Sequence, residues 1–267
     1  MPQIHIESLD DSRLEPYRDL KATNETRRRD SFVVEGEKLA RRLLASEHTT
    51  LSMLIGRRRL DEFSLPVPHE VPLLIAPDAW LERIVGFNFH RGVLACGRRG
   101  DAPQLDALIA RLPQRCTLVV GIDIQDPENL GAMIRTARAL GVAGMILGGR
   151  SADPFSRRVL RVSMGASLSL PIVTSADLAG DLARLRRRWQ VELVATVLDP
   201  NAQPLARCPR SERLAVVFGN EGWGLDPKWL ELCDCQATIP MAEGIDSLNV
   251  AVAAGIVLHH FAVPRSM

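Results

Sequence analysis

Leu118-Val119-Val120-Gly121-Ile122-Asp123-Ile124-Gln125-Asp126-Pro127-Glu128-Asn129-Leu130-Gly131-Ala132-Met133-Ile134-Arg135-Thr136-Ala137 is the stretch from which the fold of this chain is read. It opens on an apolar run of strand length, turns at Asp126-Pro127, and enters a helix predicted over 129–140 with Gly141 as its stop. A strand feeding a helix through a short turn is the unit of parallel α/β sheets. The alternation continues downstream. A strand is predicted at 145–147, an amphipathic helix at 178–189, and strands at 191–197 and 214–218. A short helix at 227–233, a short strand at 237–240 and an apolar, small-residue helix at 247–261 close the chain. Most of these strands are apolar throughout, which suits burial on both faces. The expected fold class is therefore α/β, with a mostly parallel sheet covered on both sides.

Upstream, 1–98 reads as a smaller α/β unit, with helices at 14–21 and 36–46 and strands at 32–34, 51–55, 71–75 and 93–95. The turn-rich Arg98-Arg99-Gly100-Asp101-Ala102-Pro103 is the natural joint. The expected division is 1–98, a linker and entry helix at 99–113, and a second domain at 114–267.

The chain of 267 residues is 46% hydrophobic and carries a net charge of +1, a globular composition with enough length for a sizeable core. Lysine occurs only at Lys21, Lys38 and Lys228, so arginine supplies nearly all of the 33 basic residues. Several arginines cluster: Arg27-Arg28-Arg29, Arg57-Arg58-Arg59, Arg98-Arg99, Arg157-Arg158 with Arg161, and Arg186-Arg187-Arg188. Guanidinium groups suit bidentate phosphate contact and base stacking, so these are candidate RNA footprints. Solvated helix faces in an arginine-biased chain account for them equally well. Five cysteines without C-x-x-C spacing point to neither a disulfide framework nor a zinc site, and no metal is expected. The first residues lack a secretion signal and no apolar stretch reaches spanning length, so a cytoplasmic protein is expected.

Three segments place glycine and fixed polar residues directly after a strand, where open α/β sheets build ligand sites. In the opening stretch, Asn129 and Arg135 fall within two turns of a helix N-terminus, where amides and dipole favour an anion. A capped helix with an exposed arginine fits the same residues. In Val217-Phe218-Gly219-Asn220-Glu221-Gly222-Trp223-Gly224-Leu225 the glycines are spaced G-x-x-G-x-G, not as the dinucleotide fingerprint. Glycine there lets backbone approach a ligand, and Glu221 needs a partner among the exposed amides. A glycine-rich turn with a solvated acid is the plainer account. In the third, Ile239-Pro240-Met241 leads to Ser247-Leu248-Asn249, and Ser247 or Asp246 is the expected N-cap of the last helix.

Taken in order, D-x-Q-D-P-x-N-L-G-x-x-I-R-T-A, V-x-G-N-E-G-x-G-L and I-P-M-x-x-x-x-x-S-L-N-V-A-V-A resemble the SpoU family of RNA ribose 2′-O-methyltransferases within the SPOUT superfamily. The likeness spans about 118–261 and takes in Arg161-Val162-Ser163-Met164-Gly165-Ala166. More loosely, Arg27-Arg28 through Gly36 and His90-Arg91-Gly92-Val93 are similar to that family's ribosomal-protein-like RNA-binding domain. The resemblance implies a deep trefoil knot in the second domain, a homodimer packed around it, and S-adenosylmethionine as cofactor. It implies cofactor contacts at Gly219, Ile239, Met241, Leu248 and Thr196. It assigns Arg135, Asn129, Glu221, Ser247 and Asn249 to catalysis, with Asn129 orienting Arg135 or the ribose. It assigns RNA contacts to Arg27, Arg28, Arg29, Arg91 and Arg161, with ribosomal RNA favoured over tRNA because of the added N-terminal domain. Two other readings compete: a non-catalytic ribosome-assembly factor on the same fold, and a nucleotide-dependent oxidoreductase. The full polar set argues against the first, and the missing G-x-G-x-x-G against the second.

Overall fold

The computed structural model of the chain describes residues 2–18, 20, 30–86, 92–101 and 103–262. In chain order the first elements are β1 (Gln3–His5), β2 (Ser31–Glu35), α1 (Glu37–Leu44), β3 (Thr50–Gly56), β4 (Leu73–Ala76), α2 (Asp78–Val85), β5 (Val93–Arg98) and α3 (Leu105–Ile109). They are followed by β6 (Cys116–Gly121), α4 (Pro127–Ala139), β7 (Gly144–Gly148), α5 (Arg157–Val162), β8 (Ile172–Ser175) and α6 (Leu178–Trp189). The last are β9 (Glu192–Val197), β10 (Gln203–Pro204), β11 (Arg213–Phe218), α7 (Pro227–Leu230), β12 (Cys235–Thr238) and α8 (Val250–His260).

Two units form: Met1–Asp101 with Phe155–Ser169, and Ala102–Pro154 with Leu170–Met267. Phe155–Ser169 lies within the span expected for the second domain yet clusters with the first unit. Its Leu160 and Leu168 are buried there beside Phe32, Val34 and Leu39. Glu35 and Arg157 add an ion pair of 3.0 Å in the same unit. The first unit holds a five-stranded mixed sheet in the order β1-β4-β3-β5-β2. The helix predicted at 14–21 is instead a short 3₁₀ turn, Ser12–Tyr17. Pro16 inside it has no N–H to give an α-helical ladder, and the buried Tyr17 hydroxyl lies 2.8 Å from Ser52 Oγ.

The second unit is built on a seven-stranded parallel sheet, β10-β12-β9-β11-β6-β7-β8. The chain lays β6, β7 and β8 outward, crosses back to β9, and later inserts β11 between β9 and β6. That reversal of strand order is a topological switch point, the usual place for a ligand crevice at the carboxyl ends of the strands. Leu178, Leu182 and Leu185 of α6 and Leu105 and Leu108 of α3 bury one sheet face against Val120, Ile146, Leu193 and Val217. Helix α8 packs on α4 and β11, burying Ala254, Val257 and Leu258. Burial pushes the Cys208 thiol up to about 11 and the Cys233 thiol up to about 12, so both stay protonated as packed apolar groups. Among the described residues no helix is long and apolar enough to cross a membrane. Among them too, no group of three His, Cys, Asp or Glu could hold a metal ion.

Candidate active site

The site is assembled where β6, β9, β11 and β12 end. Past Phe218 the chain folds back on itself: Asn220 N donates to Gly224 O and Gly224 N to Asn220 O, each 3.0 Å. A Cβ on Gly219 would stand 2.3 Å from the Gly224 carbonyl carbon. Glycine at 219 is thus demanded by the loop's own backbone, and the ligand approach expected from sequence is a consequence of that tight turn. Asn220, only 6% exposed, donates from Nδ2 to Asp123 O at 2.8 Å and accepts Gly222 N at 2.8 Å. Asp123 holds φ of 56°, a left-handed conformation in which Asp is enriched. Its carboxylate accepts from Arg150 Nε at 3.1 Å, and this side-chain hydrogen bond raises the Arg150 guanidinium above its ordinary value.

Glu221 finds the partners its position requires. Its carboxylate accepts Gln125 N at 3.3 Å, Asp126 N at 3.1 Å and Asn129 Nδ2 at 3.2 Å. Asp126 caps α4 by accepting Glu128 N at 2.7 Å, and Pro127 occupies the first turn. The other end of the Asn129 amide accepts Asn249 Nδ2 at 2.8 Å. Asn249 Oδ1 in turn accepts Ala251 N at 2.9 Å and Val252 N at 3.3 Å. The N-cap of α8 is therefore Asn249, not Ser247 or Asp246, and the helix starts at Val250 rather than 247. The extended backbone of Asn249, with ψ of 136°, lets its side chain reach both amides. One relay, Glu221 to Asn129 to Asn249 to α8, ties the three segments together.

Beside the relay opens a cavity of about 400 Å³, within the range of small-molecule sites. Gly219, Ile239, Met241, Leu248 and Thr196 all line it, as do Asn129, Glu221, Ser247 and Asn249. Thr196 is held by donating Oγ1 to Val217 O at 3.0 Å. Arg135 does not line the cavity; it is exposed on α4, and Asn129 spends its amide on Glu221 and Asn249 rather than on Arg135. Arg27, Arg28, Arg29 and Arg91 lie outside the described residues, and Arg161 is half-buried on α5. Sequence reasoning did not single out Leu198, 61% exposed, or Trp223, 57% exposed, both on the cavity wall. The position of Trp223 between two turn glycines was the available signal.

The relay yields a direct expectation. Asn249→Ala removes the α8 cap and the link to Asn129, at a cost of about 1 kcal/mol. Calorimetry should show Tm lower by roughly 2–4 °C. An unchanged Tm would mean that the cap carries no weight.

Residues 117–259 match the SpoU rRNA Methylase family. An uncharacterized tRNA/rRNA methyltransferase of Mycobacterium tuberculosis is 35% identical over 94% of this chain and 88% of its own length. Bacillus subtilis RlmP, a 23S rRNA (guanosine(2553)-2′-O)-methyltransferase, is 30% identical over 96% of this chain and 98% of its own. An AdoMet-bound rRNA methyltransferase from Sinorhizobium meliloti matches with a TM-score of 0.80 at 27% identity, covering 97% of each chain. Fold, cavity and likeness define an S-adenosylmethionine-dependent RNA methyltransferase. Within that class the chain belongs to the SpoU rRNA Methylase family. The residues present fit the cofactor. Phe218, Leu205 and Val257 give the cavity an apolar wall for a purine, and the side-chain-free Gly219 leaves backbone at its edge.

Proposed function

We propose that the chain methylates a ribose 2′-hydroxyl of ribosomal RNA at the mouth of this cavity. The relay from Glu221 through Asn129 to Asn249 carries the reading, because it joins polar groups of all three segments beside the cofactor pocket. The full-length likeness to a 23S rRNA 2′-O-methyltransferase supports ribosomal RNA as substrate.

When bound, S-adenosylmethionine supplies a methyl group on a sulfonium, already an excellent leaving group. The protein has to align the hydroxyl with that methyl and stabilise the charge that develops on oxygen. Alignment at near-attack distance is worth roughly 7–11 kcal/mol in ideal cases. Gly219, Ile239, Met241, Leu248 and Thr196 hold the cofactor, while Ser247, Asn249 and Asn129 form the rim that receives the ribose. Glu221 fixes Asn129 by accepting from its Nδ2 at 3.2 Å. Arg135 stabilises the developing alkoxide and the adjacent phosphate. Guanidinium groups stay protonated in proteins, so we assign Arg135 as a charge stabiliser, and the hydroxyl proton passes to solvent water at the open rim of the cavity. Its exposure and its lack of an ion-pair partner among the described residues support that role.

In this reading the first unit, Arg161 included, supplies RNA affinity, and structured loops present the 2′-hydroxyl better than regular duplex. Two chains associate through α8, whose Val252 and Ile256 are 53% and 41% exposed. The late insertion of β11 between β9 and β6 supports a trefoil knot.

The test is transfer of labelled methyl from S-adenosylmethionine to RNA lacking native modification, fractionated into ribosomal and transfer RNA. Alkali-resistant label in ribosomal RNA is the expected result. Label confined to transfer RNA would overturn the substrate, and label in neither fraction would overturn the activity.

A further inference from the structure

The geometry points to a second RNA-contact face on the catalytic unit, a basic surface at the amino ends of its parallel strands that binds phosphate backbone away from the cofactor cavity. This rests on the RNA-methylating reading above.

Because the strands are parallel, their amino ends share one edge of the sheet. Arg213 opens β11 opposite Cys116 of β6, and Cys116 N donates to Glu212 O at 2.8 Å, which brings Arg115 to the same edge. Helix α6 ends there too, since β9 begins at Glu192 just after Trp189. Arg213 Nη1 donates to Trp189 O at 3.4 Å. The guanidinium carbons of Arg184 and Arg188 lie 5.5 and 5.3 Å from the Trp189 ring centre. Arg210 is held at this edge by neutral acceptors, Phe261 O at 3.0 Å and Thr117 Oγ1 at 3.1 Å. Burial first, and then the charge of Arg115, pull the Arg210 guanidinium below its ordinary value.

The acids nearby cancel only part of this charge. Asp234 is taken by Arg186 at 2.6 Å, and Asp106 and Asp181 by Arg184. Glu192 accepts the Ser211 hydroxyl, and Glu212 stands exposed beside Arg213. Arg115, Arg187 and Arg188 are exposed and have no ion-pair partner among the described residues. The dipole of α6 explains arginines in its last turn, but not Arg115, Arg210 and Arg213 at the starts of neighbouring strands. Unpaired guanidinium groups beside a tryptophan suit phosphate contact and stacking. From Arg213 to Phe218 the strand rises about 16 Å at 3.3 Å per residue, so this surface does not touch the reacting groups.

The test uses the full chain carrying Arg115→Gln, Arg187→Gln and Arg188→Gln, with ribosomal RNA lacking native modification as probe. Binding is measured from about 50 to about 200 mM salt, beside steady-state methylation. We expect affinity at low salt to fall about tenfold or more, and the slope of log Kd against log salt to flatten by about 2 units. KM for RNA should rise with kcat and cofactor affinity unchanged, and the triple Arg→Lys variant should recover most of the binding. An unchanged slope and KM would overturn the proposal, and so would weaker binding at an unchanged slope. RNA binding with the expected slope change but no methyl transfer by the parent chain would leave this face standing while removing the reaction proposed above.

Discussion

Arg135→Ala is expected to lose about 10²–10³-fold in kcat while S-adenosylmethionine binds as before. The magnitude is that of removing one preorganised charge stabiliser from a transition state, about 2.7–4 kcal/mol. Nothing in the fold depends on this side chain: it is exposed, outside the cavity wall, and without an ion-pair partner among the described residues. Its loss should therefore shift stability by no more than about 0.5 kcal/mol. Single-turnover methyl transfer, cofactor titration by calorimetry and a thermal melt together check the split. Arg135→Lys should recover only part of the rate, because it keeps the charge and gives up the planar fork that spans hydroxyl and phosphate. Full activity in Arg135→Ala would remove the arginine from the mechanism and leave alignment by Asn129, Ser247 and Asn249 as the main source of rate.

Gly219→Ala should weaken cofactor binding at least 100-fold, about 2.7 kcal/mol, with the sheet intact. The new Cβ would stand 2.3 Å from Gly224 C, 2.4 Å from Gly224 O and 2.7 Å from Leu225 N. All three are backbone atoms, so no side chain can swing aside. The loop has to open, which breaks the paired 3.0 Å bonds between Asn220 and Gly224 and pulls Glu221 from Gln125 and Asp126. Gly224→Ala is the matched control. Nothing lies within 4 Å of its Cβ position, and only its φ of +69° is strained, at about 1–2 kcal/mol. Isothermal titration should therefore rank the two variants, with Gly219→Ala the weaker binder by a wide margin. Equal binding by both would mean that this loop is not the wall of the cofactor site.

Much of this was legible in the sequence, for reasons that can be located. Helix α6 runs Leu178–Trp189, the span its apolar period predicts, because that period comes from neighbours three and four residues apart. The strands at 118–122, 145–147 and 214–218 were visible as short apolar runs between turn residues. The three segments that meet at the cavity were visible because glycine, proline and capping residues mark strand-to-helix turns locally. Where a local rule had a competitor, reading failed. Pro16 turned a predicted helix into a 3₁₀ turn, and Asn249 displaced Ser247 and Asp246 as the cap of α8. The strands Gln3–His5 and Gln203–Pro204 are too short to show a pattern.

The sequence alone thus determined an α/β chain, a parallel second sheet, and the three segments that meet at the cavity. Only the tertiary structure decided that β11 enters between β9 and β6, and that Phe155–Ser169 joins the core of the first unit. It also decided that Asn249 meets Asn129 at 2.8 Å across 120 residues of chain. The physical reason is range. Periodicity, caps and turns are settled within a few residues, whereas the order of parallel strands depends on pairings between distant segments whose apolar runs look alike.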